Sequence, residues 1–363
     1  MKKILFITPF VPSNRGAGVH YTKQLLDTLS KDFKIDLVYY RYSNDEKYKI
    51  PNDNIRVVKE LVVNQSLKMI GWLSLPFLFP LFTSRFSWSL YTFLRKMLKN
   101  NSYDFIYLDF SQTFSYALLL NHPNIVMMSH DVILQRYSRT KSKFLCWVRF
   151  TEKLLLKRGR VVFTFSKKDS DWIRVHYGVE SLSTTFFLSK DVVNAEPNME
   201  SNYFVFFAGW DRFDNNEALE WFIDNVLEHI DKHFEFKIIG GGMPERLLEK
   251  IRTWDNLTYL GFIDNPYPII ANAIAEIAPL HYGAGVKVKC IDALACGTPI
   301  IGSEVAFEGI DVIDSRFMLL ASSPDEYVSA INNYKISVEE KRIFKALFFN
   351  SYNNKMILNY LNK

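Results

Sequence analysis

The chain repeats one local pattern along most of its length: a short run of β-branched and aromatic residues, a loop, then a stretch with apolar residues three and four apart. Runs that are apolar throughout suit strands covered on both faces, and strands separated by helices pair in parallel through crossovers. In the first half the runs are Ile4 to Thr8, Ile35 to Tyr40, Phe105 to Leu108, Ile125 to Ser129 and Val161 to Phe165. The rhythm restarts with Tyr203 to Phe207, Phe236 to Ile239, Leu257 to Leu260, Ala275 to Ala278 and Pro299 to Gly302. This predicts an α/β protein with two Rossmann-like, doubly wound domains, and 363 residues are more than one core normally serves.

The polar stretch Lys190 to Asn202, which contains Pro197, reads as the linker and places the domains at residues 1–195 and 196–340. After Asn216, residues Leu219, Phe222, Ile223, Val226, Leu227 and Ile230 form one helical stripe. The tail from Val338 to Lys363 is helix-compatible, so residues 341–363 are expected to form a closing helix that packs back on the first domain.

A composition of 48% hydrophobic and 23% charged residues suits a folded soluble protein. Cys146, Cys290 and Cys296 are odd in number and lack metal-ligand spacing, which fits a reducing, cytoplasmic compartment. Lys2 and Lys3 precede an apolar run, but Pro9, Pro12, Asn14 and Arg15 end it early, so it reads as a first strand rather than a signal peptide. The longest apolar stretch, Met69 to Phe82, is short for a bilayer span and carries Pro76 and Pro80. A net charge of +5 is mild, yet Arg136 to Arg160 gathers Arg136, Arg139, Lys141, Lys143, Arg149, Lys153, Lys157, Arg158 and Arg160 against the single acid Glu152. That segment is either a solvated helix face or a surface for an anionic acceptor or membrane. The aromatic stretch through Trp72, Phe77, Phe79, Phe82, Phe86, Trp88, Tyr91 and Phe93 either packs in a core or lines an acceptor groove or membrane interface. Together they motivate peripheral association at the inner face of the plasma membrane. No recognition motif accompanies the charge, so nucleic acid is not an expected partner.

Two glycine-containing loops carry the chemistry. The first strand runs into Thr8-Pro-Phe-Val-Pro-Ser-Asn-Arg-Gly-Ala-Gly-Val-His-Tyr, where Gly16 and Gly18 open a helix at the carboxyl end of a strand. Backbone there can approach a phosphate or sugar, and helix-start N–H groups favour anions. A tight turn without ligand is the alternative, and the missing third glycine argues against a dinucleotide fingerprint. The second loop, His281-Tyr-Gly-Ala-Gly-Val-Lys-Val-Lys-Cys-Ile-Asp, suits a nucleoside diphosphate. The turn of Gly283, Ala284, Gly285 and Val286 exposes backbone donors, Lys287 or Lys289 offsets phosphate charge, and Asp292 accepts from a ribose diol. A basic surface loop before a core helix through Ile291, Leu294 and Ala295 explains each residue singly but the arrangement less well.

With Pro279-Leu280, Gly283 to Gly285, Lys289, Asp292 and Ala295-Cys-Gly-Thr-Pro299 in that order, the chain resembles the retaining glycosyltransferases of family 4. The resemblance extends through Phe207-Ala-Gly-Trp-Asp, Asn215-Asn-Glu-Ala-Leu-Glu-Trp-Phe, Ile238-Ile-Gly-Gly-Gly, Leu260-Gly-Phe-Ile-Asp-Asn-Pro-Tyr and Ala306-Phe-Glu-Gly-Ile. In the first domain it rests on the Gly16 to Gly18 loop, Tyr103-Asp-Phe-Ile, Ser129-His-Asp and Thr164-Phe-Ser. It implies the GT-B fold, two such domains facing each other across a cleft, and transfer of a sugar from a nucleotide-diphosphate sugar to a glycan or lipid-linked acceptor. Retention at the anomeric carbon, an active site without metal, no cofactor, and work in bacterial surface polysaccharide or glycoconjugate synthesis belong to the same implication.

Carried over by position, Asp292 takes the place of the second glutamate of the family's paired motif, and Ala284 the place of the first. The arginine and lysine that clasp the donor phosphates fall on Trp210 and Asn215, which leaves Arg212, Lys287 and Lys289 as substitutes, beside Gly209. His130 stands where the family's histidine contacts the donor sugar near the reacting carbon; a satisfied strand-end histidine is the plainer alternative. The catalytic candidates are therefore His130, Lys289 and Asp292, and the donor-binding candidates Gly16, Gly18, Gly209, Arg212, Gly283, Ala284, Gly285, Val286 and Lys287. A noncatalytic nucleotide-sugar or glycan-binding protein, motivated by Ala284 and the absent arginine and lysine, and a nucleotide-sugar epimerase on the same fold are the alternative functions.

Overall fold

The computed structural model describes residues 1–13, 17–139, 142–283, 285–311, 314–352 and 355–363. The chain divides into two compact units, Met1–Phe187 with Asn353–Lys363, and Leu188–Tyr352.

In the first unit the strands are β1 (Lys2–Thr8), β2 (Phe33–Arg41), β3 (Ile55–Val62), β4 (Phe105–Asp109), β5 (Ile125–Met128), β6 (Val161–Thr164) and β7 (Ser181–Ser183). They form one sheet in the order β3-β2-β1-β4-β5-β6-β7, every pair parallel. Because the order reverses between β1 and β4, the crossovers from these two strands leave toward opposite sides and open a crevice at their carboxyl ends. β4, β5 and β6 are almost entirely buried, which their unbroken apolar runs require. The core on one face joins Leu5, Ile7, Val38, Leu108 and Met127 to Phe82, Leu90 and Val148 from helices and to Phe86 from a connecting loop.

The second unit repeats the plan with β8 (Tyr203–Phe207), β9 (Glu235–Ile239), β10 (Leu257–Gly261), β11 (Glu276–Ala278), β12 (Ile300–Gly302) and β13 (Met318–Leu320), ordered β10-β9-β8-β11-β12-β13 and parallel throughout. Its reversal lies between β8 and β11. The two doubly wound sheets agree with the fold expected.

Three strands escaped the sequence reading, all at or next to a sheet edge. β3 is half-exposed and carries Arg56, Lys59 and Glu60, while β7 and β13 have three residues each. The stripe after Asn216 does not lie on one helix. The helix Phe213–Asn225 buries Ala218, Leu219, Phe222 and Ile223, then Val226 leaves helical geometry at φ −120° and Leu227 enters the core from a 3₁₀ turn, Leu227–His229. The linker stretch also has structure: its helix Lys190–Asn194 lies in the second unit, against an expected boundary at residue 195. The C-terminal stretch is two helices. Val338–Ser351, opened by a capping box of Ser337 and Glu340, belongs to the second unit, where Lys345 Nζ donates to the carbonyls of Val193 (2.9 Å) and Ala195 and to Glu196 (2.7 Å). Met356–Asn362 belongs to the first, where Lys2 Nζ donates to the Leu361 carbonyl at 2.8 Å and Tyr360 packs edge-on against Phe163.

Candidate active site

At the reversal point of the first sheet, β4 ends on Asp109, which is fully buried. Its Oδ1 bonds His130 Nε2 at 2.8 Å, while Oδ2 accepts from the hydroxyls of Thr8 (2.9 Å) at the end of β1 and Thr22 (2.7 Å) in the helix Ala17–Leu29. One carboxylate thus joins two neighbouring strands, the first helix and the imidazole that follows β5. Next to it, Phe110 has φ +60° and ψ 150°, a region that a side chain beyond glycine enters at a cost of about 1–3 kcal/mol. The conformation lays its ring flat on His130, centroids 3.4 Å apart and planes 8° from parallel. Phe165 meets the imidazole edge-on at 5.0 Å. With Nε2 committed to Asp109, Nδ1 is the nitrogen left for other work.

Gly18 belongs to this cluster. A Cβ there would come within 2.9 Å of Phe110 Cζ and 3.2 Å of His130 Nδ1, so the glycine makes room for the stacked pair. Gly16, named beside it from the sequence, lies outside the described residues. Behind the cluster, Glu152 accepts from the backbone N–H groups of Ile133 (2.7 Å) and Leu134 (3.1 Å), which start the helix after His130, and from the Tyr177 hydroxyl (2.8 Å). Burial pushes its carboxyl up to about 7, against the pull of those hydrogen bonds.

In the second unit, the loops after β8 and β11 flank the reversal point. Gly283 and Gly285 take φ of +126° and +73°, which turns the chain sharply between β11 and the helix Val288–Ala295. Lys287 Nζ donates to the Gly285 carbonyl at 2.7 Å and passes beside Gly283, where an added Cβ would lie 3.2 Å from Lys287 Cε and 3.9 Å from Asp214. Lys289 Nζ donates to Asn215 Oδ1 at 3.0 Å, and Asn215 in turn donates to the Gly209 carbonyl at 2.8 Å. Lys287, Lys289, Gly209 and Gly283 are therefore neighbours around the start of the helix Phe213–Asn225. Val286 is half-buried in the turn, and Ala284 lies outside the described residues.

Arg212 is exposed and paired with Asp214 at 2.9 Å, so its charge is already balanced by a neighbour. Trp210, at the place of the family's arginine, is a core residue, its indole N–H donating to the Ile239 carbonyl at 3.0 Å.

Asp292 is half-buried in the helix after the turn and accepts from Tyr267 Oη at 3.3 Å; burial raises its carboxyl to about 7. Glu276, the first residue of β11, is fully buried and finds no hydrogen-bond partner among the described residues. Burial raises it too, with Asp292 adding to the rise and Lys289 opposing it. Asp109, Phe110, Tyr267 and Glu276 were not singled out from the sequence, although an acid closing the apolar run Phe105 to Leu108 was a readable sign. Among the described residues no group of three or more His, Cys, Asp or Glu side chains converges as a metal site.

The family described as Glycosyltransferase Family 4 matches residues 15–184, and the one described as Glycosyl transferases group 1 matches residues 202–334. The chain belongs to the family 4 glycosyltransferases. No curated protein sequence matches this glycosyltransferase. Solved structures do, at low identity and nearly full length. Sucrose-phosphate synthase from Thermosynechococcus elongatus is similar with a TM-score of 0.69 and 14% identity, covering 100% of this chain and 98% of that one. HepE from Anabaena, solved in complex with UDP, gives 0.66 and 13%, covering all of both chains. WaaG, a glycosyltransferase involved in lipopolysaccharide biosynthesis, gives 0.62 and 10%, covering 99% and 98%. This glycosyltransferase shares their GT-B fold.

Proposed function

We propose that this glycosyltransferase uses a nucleoside-diphosphate sugar and transfers the sugar, with retention and without a metal ion or cofactor, to a glycan or lipid-linked acceptor. The observation that carries the reading is the Lys289–Asn215 hydrogen bond. The resemblance puts a phosphate-binding lysine where this chain has Asn215, and Lys289 reaches that place from the other loop. The diphosphate lies along the turn of Gly283 to Lys289, against free N–H groups at the start of Val288–Ala295, with the ribose on Asp292. As the bond from the anomeric carbon to the diphosphate breaks, negative charge builds on the leaving oxygen, and Lys289 and the turn lower that barrier. The acceptor hydroxyl gives its proton to the same leaving oxygen while the new bond forms on the same face of the sugar. His130, fixed by Asp109 and Phe110, is assigned to the reacting sugar through Nδ1.

UDP is the first nucleotide to try, because HepE was solved with it. Calorimetric titration with uridine, guanosine and thymidine diphosphates, on wild type and Lys289→Ala, tests the donor site. Binding that the variant weakens supports the assignment; equal binding by both removes Lys289 from it, and no binding to any sinks the reading. Incubation with the sugar nucleotide then separates transfer from epimerisation, which would alter the sugar without an acceptor, and the anomeric proton coupling of the product reads retention.

A membrane-proximal role in surface polymer synthesis, at the cytoplasmic face of the membrane, rests on a separate feature and on likeness to WaaG. Among the described residues no helix is long and apolar enough to cross a membrane. The helix Gln65–Ser74 nevertheless exposes Met69, Ile70, Trp72 and Leu73, followed by exposed Phe77. The Phe77 carbonyl accepts from Trp147 at 2.8 Å, which joins this apolar surface to the helix Leu145–Leu156, where Phe150 is exposed beside Arg149 and Lys153. Apolar side chains flanked by cations suit the interface of an anionic bilayer. Sedimentation with anionic liposomes at low salt is the check, and absence of binding there removes this part of the proposal.

A further inference from the structure

The first unit contains a cavity of about 230 Å³ that the site above does not use. It lies at the carboxyl ends of β1 and β2, lined by Phe10, Val11, Ser13 and Val19 and, from the loop after β2, by Tyr42, Asp45 and Glu46. One buried cation fixes both rings. Arg85 has its guanidinium 5.5 Å from the Phe10 ring centre and 5.7 Å from that of Tyr42. Its nitrogens donate to the Pro9 carbonyl, the Ser84 carbonyl and the Tyr42 hydroxyl, each at 3.2 Å. Asp45 accepts from the Tyr42 backbone N–H at 2.8 Å, which sets the loop, and Glu46 is exposed at the rim. Phe10 also meets Phe110 edge-on at 5.2 Å, and Phe110 is the ring stacked on His130. The cavity wall and the imidazole are thus two ring contacts apart.

The lining indicates what fits. Aromatic faces suit the C–H face of a sugar ring, and carboxylates accept from hydroxyls. Among the described residues, an anion placed there would meet Asp45 and Glu46, while Arg85 is held as described, Arg41 bonds Glu60 at 2.7 Å and Lys68 sits 5.8 Å from the Tyr42 ring centre. At about 30 Å³ for each displaced water, the volume suits a single monosaccharide ring. We propose that this cavity holds an uncharged sugar residue of the acceptor, stacked on Phe10 and Tyr42 with hydroxyls on Asp45 and Glu46, and that the two carboxylates turn away an acceptor phosphorylated at that ring. The proposal rests on the transferase reading above.

Saturation-transfer NMR on the full chain tests it, with a panel of methyl hexopyranosides and the matching hexose 6-phosphates as probes. UDP is titrated into the same sample as an independent reading of the donor site. At least one methyl glycoside is expected to bind wild type and to weaken about tenfold in Tyr42→Ala. Tyr42→Phe, which keeps the ring, retains binding, and the hexose 6-phosphates gain affinity only in Asp45→Asn/Glu46→Gln. The cavity assignment is overturned if phosphates bind wild type as well as glycosides do, if Tyr42→Ala changes nothing, or if UDP binds and no glycoside does. Failure of the uridine, guanosine and thymidine diphosphates alike to bind sinks the transferase reading, and this proposal with it.

Discussion

The imidazole of His130 is held by Asp109 at 2.8 Å, by the Phe110 ring at 3.4 Å and by Phe165 edge-on at 5.0 Å, and only 9% of its side chain is exposed. Lys289 in the second unit donates to Asn215, and Lys287 to the carbonyl of its own turn. The first site is finished before any substrate arrives. The second is a set of half-exposed cations and backbone groups strung along a turn. Rigid orientation matters most where bonds change, whereas a diphosphate brings enough charge to organise flexible lysines around itself.

That contrast can be broken by substitution. Exchange of His130 for Ala is expected to lower kcat by about 10³-fold, as loss of a preorganised polar group does, while nucleotide affinity measured by calorimetry stays unchanged. Lys289→Asn should cost about 10²-fold in kcat and weaken nucleotide binding as well. Adding Asn215→Lys to that variant returns the cation from the other loop and should restore turnover to within about tenfold of wild type. If the double variant is no better than Lys289→Asn, the two positions do not share one phosphate. Gly18→Ala pushes a methyl into the Phe110 ring, and overpacking of that kind costs about 1–3 kcal/mol in stability, read by urea unfolding, with a fall in kcat of about tenfold as the stack shifts.

The smallest effect is one of pH. The Asp292 carboxyl is raised to about 7, so it keeps its proton below that value and, in the proposed donor site, becomes a full acceptor for ribose hydroxyls above it. Nucleotide affinity should rise about fivefold from about pH 6 to about pH 8 in wild type, relative to the same titration of Asp292→Asn. The linkage to folding has the opposite sign. A raised carboxyl contributes stability below its unfolded value, and that contribution fades as pH climbs to about 7.

The two sites also differed in how far the sequence betrayed them. The turn proposed for the donor is contiguous, so Gly283, Lys287, Lys289 and Asp292 stand in one stretch of chain and their chemistry can be read in order. Asp109 and His130 are 21 positions apart and meet only because β4 pairs with β5, and Phe110 shows nothing unusual until its φ is seen. Nine of the ten apolar runs gave central strands, where burial on both faces leaves few polar positions, and the tenth, Leu257 to Leu260, gave the edge strand β10. The outer strands β3, β7 and β13 lack that signature, since solvent or chain ends take over part of their surroundings. Gly18 was noticed for backbone reach toward a ligand, yet its measurable constraint is the space it leaves for a ring. The stripe past Asn225 misled because a 3₁₀ turn can feed Leu227 into the same core that a longer helix would.

The chain passes between units twice, once near residue 188 and again near residue 353. Residues 356–362, with Ile357 and Leu361 buried, complete a unit whose other strands all precede residue 188. On the ribosome, then, the unit begun first is the one finished last, and its half-built surface has to wait through the synthesis of the entire second unit.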